Sequence, residues 1–279
     1  MDITHRLDLL AAQSVPADNG LILPFIAHSA QQLRRVPFAQ PCLMLVLQGV
    51  KQLHAQVLQD LSPGQMLLVP AGCELSFTNQ PDISGMYQAW VVAFNQEDLS
   101  GLGHGPVQHE IQQLPADDLL LTLFQQWLLL QGHGPQAAHL LPQRRVELVQ
   151  HLSALGCAAQ LRSGLLQDWG GRVQNLLRAD LSRDWQLADI CARLALSESS
   201  LRRKLNQEGC TFRELLEEVR LSHGLNLLQT SPLSVQQVAD ACGYQSASRF
   251  SERFRQRFSM SPSELRHSRT ALSGAKLAF

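Results

Sequence analysis

The sequence predicts an α+β protein of two domains, a β-rich amino-terminal part with packed helices and an all-helical carboxy-terminal part. Three observations carry the division. Short apolar runs broken by Pro and Gly turns fill the first hundred residues, whereas beyond residue 172 the apolar residues recur at helical spacing. One helix-turn-helix pattern then appears twice. Charge changes at the same place: residues 1–171 hold seven Lys or Arg against thirteen Asp or Glu, and residues 172–270 fifteen against eleven, a contrast hidden in the net charge of −1.

In chain order, Pro41 to Val57 reads as two strands around a Gln48-Gly49 turn. Leu61 to Gly72 adds a Ser-Pro-Gly turn and a buried strand, and Glu74 to Thr78 and Met86 to Phe94 continue the pattern. Such strands make a small β-barrel or jelly roll. Asp117 to Gln131 and Pro142 to Leu155 are helical, with Leu120, Phe124, Trp127 and Leu128, then Val146, Val149 and Leu152, as their apolar residues. Ser163-Gly164 and Gly170-Gly171 flank a linker between Arg162 and Gly171, which sets the domains at 1–165 and 172–270.

A helix spans Val173 to Leu181 in the second domain, and the two helix-turn-helix units cover 187–208 and 235–258. Ile190, Leu194, Leu201 and Leu205 of the first unit correspond to Val238, Cys242, Phe250 and Phe254 of the second, with an offset that grows by one residue at the turn. Ser197 and Ser246 stand where N-caps belong, and Gly243 supplies a turn residue tolerant of positive φ. Thr211-Phe212-Arg213-Glu214, Ser234-Val235-Gln236-Gln237 and Ser261-Pro262-Ser263-Glu264 have capping-box form, so helices start near 212, 235 and 262. The first of these, running to about Leu228, joins the two units.

With Leu201 and Leu205 turned inward, a step of about 100° per residue puts Ser199, Arg203 and Asn206 on the outer side, with Arg202 on the flank. With Phe250 and Phe254 inward, Ser248, Arg249, Glu252 and Gln256 point away, and Arg253 and Arg255 are placed for phosphates. Arginines clustered on the second helix of both units are the footprint of DNA binding, with Arg203 the best placed for a base. Glu252 either accepts from a cytosine amino group or marks a helix that reads bases less than the first.

Residues from about Arg172 to Arg269 resemble the DNA-binding domain of the AraC/XylS family of bacterial transcription regulators. The resemblance rests on Asp189-Ile190-Cys191, the Ser197 to Leu205 helix, the Gly243-Tyr244 turn, and Arg249-Phe250-Ser251-Glu252-Arg253-Phe254 followed by Phe258 and Ser261-Pro262. It implies two recognition helices in successive major grooves, with Ser199, Arg202, Arg203, Ala247, Ser248, Arg249 and Glu252 at the groove-reading positions. It also implies promoter DNA and RNA polymerase as partners, and activation as the direction of control. The strand segments of the first half are similar to the cupin-like amino-terminal domain of the same family. In that family the following helices often form a homodimer interface.

A cupin fold raises the question of metal catalysis. The strands offer His54 alone, while His104, His109, His133 and His139 fall in loops or helices, so neither a metal nor another cofactor is expected, and no enzyme activity. The barrel is expected instead to hold a small apolar effector, with Leu45, Leu47, Met66, Leu68, Phe77, Tyr87 and Trp90 as candidate liners. The alternative is an amino-terminal domain that senses a protein partner such as an anti-activator. Cys42, Cys73, Cys157, Cys191, Cys210 and Cys242 lack Cys-x-x-Cys spacing, against zinc and a disulfide framework, and nothing supports a redox sensor at Cys42 or Cys73. Met1 to Gly20 carries Asp2, Asp8 and Asp18 and no sustained apolar core, and no transmembrane run follows, so a cytoplasmic protein that avoids membranes is expected.

Overall fold

The computed structural model describes residues 3–13, 22–55, 59–166 and 168–269. The described residues form two compact units, one up to Leu165 together with those from Leu265 onward, and one from Leu166 to Glu264. No helix among the described residues is long and apolar enough to cross a membrane. Residues Gln56 and Val57 of the predicted second strand, Ser14 to Gly20 of the amino-terminal segment, and Thr270 lie outside the described residues.

Among the described residues the first unit contains eight strands: β1 (Leu23–Ala27), β2 (Gln31–Phe38), β3 (Cys42–Gln48), β4 (Val50–Leu53), β5 (Gln65–Val69), β6 (Cys73–Gln80), β7 (Tyr87–Ala93) and β8 (Gln112–Pro115). They make two antiparallel sheets, of order β1-β7-β3-β5-β8 and β2-β6-β4. The helices α1 (Ile3–Ala11), α2 (Gln96–Leu99), α3 (Asp118–Gly132), α4 (Leu141–Leu152) and α5 (Ala158–Leu161) accompany them. This is the predicted β-domain with packed helices.

The Gln48-Gly49 segment is not the turn of a hairpin. β3 belongs to the five-stranded sheet and β4 to the three-stranded one, so the chain changes sheets at Gly49. Gly49 has φ of 75°, and a Cβ there would stand 2.6 Å from the Gln80 carbonyl oxygen, which makes glycine necessary at the corner.

β3 lies at the centre of the larger sheet, and Cys42 through Leu47 are all buried. A strand covered on both faces needs a continuous apolar run, which Cys-Leu-Met-Leu-Val-Leu supplies. Leu43, Leu45 and Leu47 join Met66 and Leu68 of β5, Trp90 and Val92 of β7, Leu7 and Leu10 of α1, Phe124 and Trp127 of α3, and Val149 and Leu152 of α4 in one core. The alternate residues, Cys42 and Tyr87 among them, face the second sheet. Arg6 fixes α1 to α3: its guanidinium donates to the Asp118 carbonyl (3.0 Å), Asp118 Oδ1 (3.0 Å), Thr122 Oγ1 (2.7 Å) and Gln125 Oε1 (3.0 Å).

The second unit begins with α6 (Trp169–Arg178), followed by α7 (Leu187–Leu194), α8 (Glu198–Gln207), α9 (Phe212–Thr230), α10 (Val235–Ala241), α11 (Ala247–Phe258) and the start of α12 (Pro262–Ser268). α6 starts four residues before the predicted Val173 and takes in Gly170 and Gly171. Its first N–H groups have acceptors: Asp168 Oδ1 receives the Gly171 N–H (2.6 Å), and the Glu208 carboxylate those of Trp169 (2.9 Å) and Gly170 (2.8 Å). The Glu208 contact comes from another helix, which local sequence cannot reveal.

Burial lowers the pKa of Lys51 on β4 to about 7, while burial pushes the neighbouring Cys42 thiol and Tyr87 phenol upward and leaves them neutral in the same range. Between pH 7 and the ordinary lysine value of about 10.4 the folded state binds fewer protons than the unfolded state, so this residue makes stability rise with pH. Lys51→Met should raise the thermal midpoint at pH 7 to 8 and flatten its rise toward pH 10, as measured by calorimetry. An unaltered pH profile would show that the ammonium is not desolvated in the folded protein.

Candidate nucleic-acid interface

Each helix-turn-helix is built by a cap at one end and a left-handed residue at the other. Ser197 Oγ accepts the Ser200 N–H (3.3 Å) to start α8, and Ser246 Oγ accepts the Arg249 N–H (3.3 Å) to start α11. Ala195 (φ 52°) closes the first leading helix and Gly243 (φ 74°) is its counterpart in the second turn. The extra residue of the second unit therefore lies between the left-handed residue and the cap, where Leu196 alone is matched by Tyr244-Gln245. Gly243 is needed for space as well: a Cβ would stand 2.7 Å from the guanidinium of Arg220, which donates to the carbonyls of Leu181 (3.3 Å) and Arg183 (2.9 Å).

Burial sets which side of each recognition helix faces outward. Leu201 and Leu205 sink into the core formed with Ile190, Cys191, Leu215 and Val219. Phe250, Phe254 and Phe258 are buried in the second unit, with ring centroids 5.5 and 4.7 Å apart in succession and Tyr244 5.4 Å from Phe250. Gly224 of α9 makes room for this aromatic row, because a Cβ there would lie 2.8 Å from the Phe250 ring.

The opposite sides carry the predicted residues. Ser199, Arg202, Arg203 and Asn206 are exposed on α8, and Ser248, Arg249, Glu252, Arg253 and Arg255 are exposed on α11. Their side chains are in different states. Arg202 pairs with Glu198 (3.2 Å), and Gln256 donates to Glu252 (3.2 Å). Arg253 is paired with Glu217 of α9 (3.3 Å), and Arg257 lies 3.8 Å from Glu218 of the same helix. Two arginines of the second recognition helix thus brace it against the connecting helix. Among the described residues, Arg203 and Arg249 have no side-chain acceptor in the protein, while Arg255 has the Glu264 carboxylate as a nearby counter-charge.

Sequence reasoning missed the supports around the first unit. Lys204 of α8 lies 4.1 Å from the Trp169 ring centroid with Arg172 at 4.6 Å, and Trp185 has Arg183 at 4.5 Å and Arg193 at 4.7 Å. Trp185, Leu187, Phe212 and Leu216 line a groove of 450 Å³ whose wall includes Arg202 and Arg213. A Trp flanked by basic residues at distant positions is the available signal, and it does not say which pairs meet.

The candidate effector liners come from both sheets and do not share one cavity wall. Leu45, Leu47, Met66, Leu68 and Trp90 belong to the core shared with α1, α3 and α4. Phe77 and Tyr87 border the space between the sheets, with Lys51 Nζ 3.7 Å and 5.4 Å from their ring centroids. Period-two alternation separates the two sides of a strand without saying which side meets helices. His54 Nε2 lies 2.9 Å from Thr78 Oγ1 and His109 Nδ1 3.2 Å from the Ala71 carbonyl oxygen. Among the described residues no group of three His, Cys, Asp or Glu could hold a metal. Burial pushes the Cys42 and Cys73 thiols upward, and Cys242 up to about 12, the opposite of what a reactive thiolate needs.

Fold and site together define a tandem helix-turn-helix unit with an appended double-sheet domain. Residues 190–268 match the family model of a helix-turn-helix domain. The HTH-type transcriptional regulator YdeO of Shigella flexneri is 40% identical over 107 residues, 38% of this chain and 42% of that protein. The urease operon transcriptional activator of Escherichia coli is 37% identical over 94 residues, 34% of this chain and 32% of that protein. The matches thus span less than half of these relatives. Unsaturated fatty acid-bound ToxT from Vibrio cholerae superposes over 91% of this chain and 97% of its own with a TM-score of 0.65 at 16% identity, a likeness of fold. Residues 190–268 thus carry the helix-turn-helix domain of these transcription regulators, and the whole chain shares the two-domain fold of ToxT.

Glu208→Ala should cost the second unit about 1–2 kcal/mol, the scale of a lost helix cap, read as a lower unfolding midpoint in denaturant. No change would show that Asp168 alone caps α6.

Proposed function

We propose that this protein is a sequence-specific transcription regulator, an activator acting with RNA polymerase, whose second unit binds promoter DNA and whose first unit receives a small effector and pairs two copies of the chain. The observation that carries the DNA-binding reading is the set Arg203, Arg249 and Arg255, exposed on helices whose opposite sides are buried, the first two free of internal acceptors and the third only beside Glu264. α8 is the main base reader. Ser199, Arg203 and Asn206 share its outer side, Arg202 joins by exchanging Glu198 for DNA, and Arg203 makes the bidentate contact to guanine. On α11, Ser248 and Glu252 face bases, while Arg249 and Arg255 hold phosphates. Arg253 supports them from its pair with Glu217, a reading that moves it away from direct phosphate contact.

The activator reading is supported by the family and by the printed function of the urease operon relative. Effector control is supported by the fatty acid-bound ToxT of like fold, and by the two-sheet domain itself. Pairing of copies is supported by α3, where Leu119 is 54% and Leu129 70% exposed among otherwise apolar neighbours.

Sites selected from genomic DNA and measured by fluorescence anisotropy test the role proposed for the second unit. Arg203→Ala should cost about 1–3 kcal/mol and relax preference at one or two base pairs, whereas Arg255→Ala should weaken every sequence alike and lower the salt slope by about 1. Equal loss on all sequences for Arg203→Ala would reassign it to a phosphate, and a chain that selects no sites would defeat the regulator reading. Sedimentation tests pairing: Leu119→Glu with Leu129→Glu should convert a dimer to a monomer. A wild-type monomer under the same conditions would refute pairing through α3.

A further inference from the structure

α11 carries four arginines, and three of them form one row. Arg249, Arg253 and Arg257 follow at four-residue steps, so at about 100° per residue they lie along one flank of the helix, with Arg255 on the other. The row is not equally open along its length. Arg249, in the first turn, has no side-chain acceptor in the protein among the described residues. Arg253, one turn later, pairs through Nε with Glu217 of α9 (3.3 Å) and donates through Nη1 to Gln256 Oε1 (3.5 Å). Arg257, in the last turn, lies 3.8 Å from Glu218 of α9.

The two carboxylates are held differently. Glu218 also accepts from the Gln174 amide of α6 (3.0 Å), and the Arg257 side chain is 14% exposed, so this pair belongs to the packing between helices. Glu217 stands at the rim. Its side chain is 37% exposed and that of Arg253 53%, with Tyr244 and Arg220 as the other titratable groups beside them. An ion pair in that setting contributes little to stability, so bracing is the lesser part of what Glu217 can do. The greater part is to decide where a cation goes. A phosphate that took Arg253 would leave the Glu217 carboxylate unpaired next to the DNA backbone, where like charges repel.

We propose that Glu217 withholds Arg253 from DNA phosphates, so that the flank of α11 facing α9 grips the backbone through Arg249 alone and the sequence-independent part of binding stays below what its arginines could supply. Glu217 is then a positioning residue that limits affinity for DNA without touching it. This deepens the DNA-binding reading above and rests on it. On this flank phosphate contact is confined to the first turn of α11, the end that carries Ser248, and the later turns stand off the backbone.

The test is fluorescence anisotropy on the whole chain with two duplexes of equal length, a site selected from genomic DNA and a shuffled version of it, at salt from about 50 to 200 mM. Glu217→Gln should tighten both duplexes alike, about fivefold near 0.1 M salt, and steepen the slope of log affinity against log salt by about 0.9, the value of one added phosphate contact. Arg253→Ala should keep the wild-type slope, and adding it to Glu217→Gln should return the slope to that value. The double variant separates release of Arg253 from the mere loss of a negative charge. Unchanged unfolding midpoints show that the variants fold, and Glu217→Ala replaces the Gln variant if its midpoint falls. An unchanged slope for Glu217→Gln, a gain that survives Arg253→Ala, or a flatter slope for Arg253→Ala alone would overturn the proposal while leaving DNA binding standing. A wild-type protein that binds neither duplex would remove both.

Discussion

The second unit depends on the rotational phase of two short helices, fixed by what they bury. A helix of ten or twelve residues has little intrinsic stability, and nothing in its backbone decides which side faces outward. Leu201 with Leu205, and Phe250 with Phe254 and Phe258, make that decision. The aromatic row needs a glycine on the connecting helix to seat against, so the direction in which the arginines of α11 point depends in part on a residue without a side chain. The charged residues add bracing more than phase. Glu217 and Glu218 hold two arginines against α9, and the opposite partners remain outside.

The first unit meets a different constraint, because its central strand is covered on both sides. One side of β3 belongs to the helices and the other to the second sheet, and the chain crosses between sheets within two residues. Such a corner has no room for a Cβ. The helix-facing core is filled by hydrocarbon and aromatic groups, while the space between the sheets also contains an ammonium, amides and a phenol. Two interiors of different chemistry are separated by one layer of backbone.

Much of this was legible in the chain. Capping boxes at Thr211, Ser234 and Ser261 gave helix starts to the residue, since each is a local hydrogen-bond device. The outer sides of α8 and α11 followed from helical spacing alone. The unpredicted strands β1, β2 and β8 are all sheet edges. Edge strands tolerate Pro24, Pro37 and charged pairs such as Arg34-Arg35, so the period-two signal fades there. Long-range choices were not legible: which sheet receives β4, which carboxylate caps α6, and which arginines find partners on α9. Lys51 gave no signal either, because a lysine in a strand sequence looks like any solvated one until both sheets close around it.

The single extra residue in the second turn is absorbed before the cap, so α8 and α11 correspond position for position beyond it. Ser199 then answers to Ser248, and Arg203 to Glu252. The protein repeats itself in shape while reversing its charge at this outward-facing position. On the proposed reading, a donor at that place selects guanine and an acceptor selects cytosine. An internally duplicated protein would therefore recognise DNA with no duplication in it. A promoter search built on repeated half-sites would pass over its targets, and the asymmetry would give each bound copy a direction along the duplex.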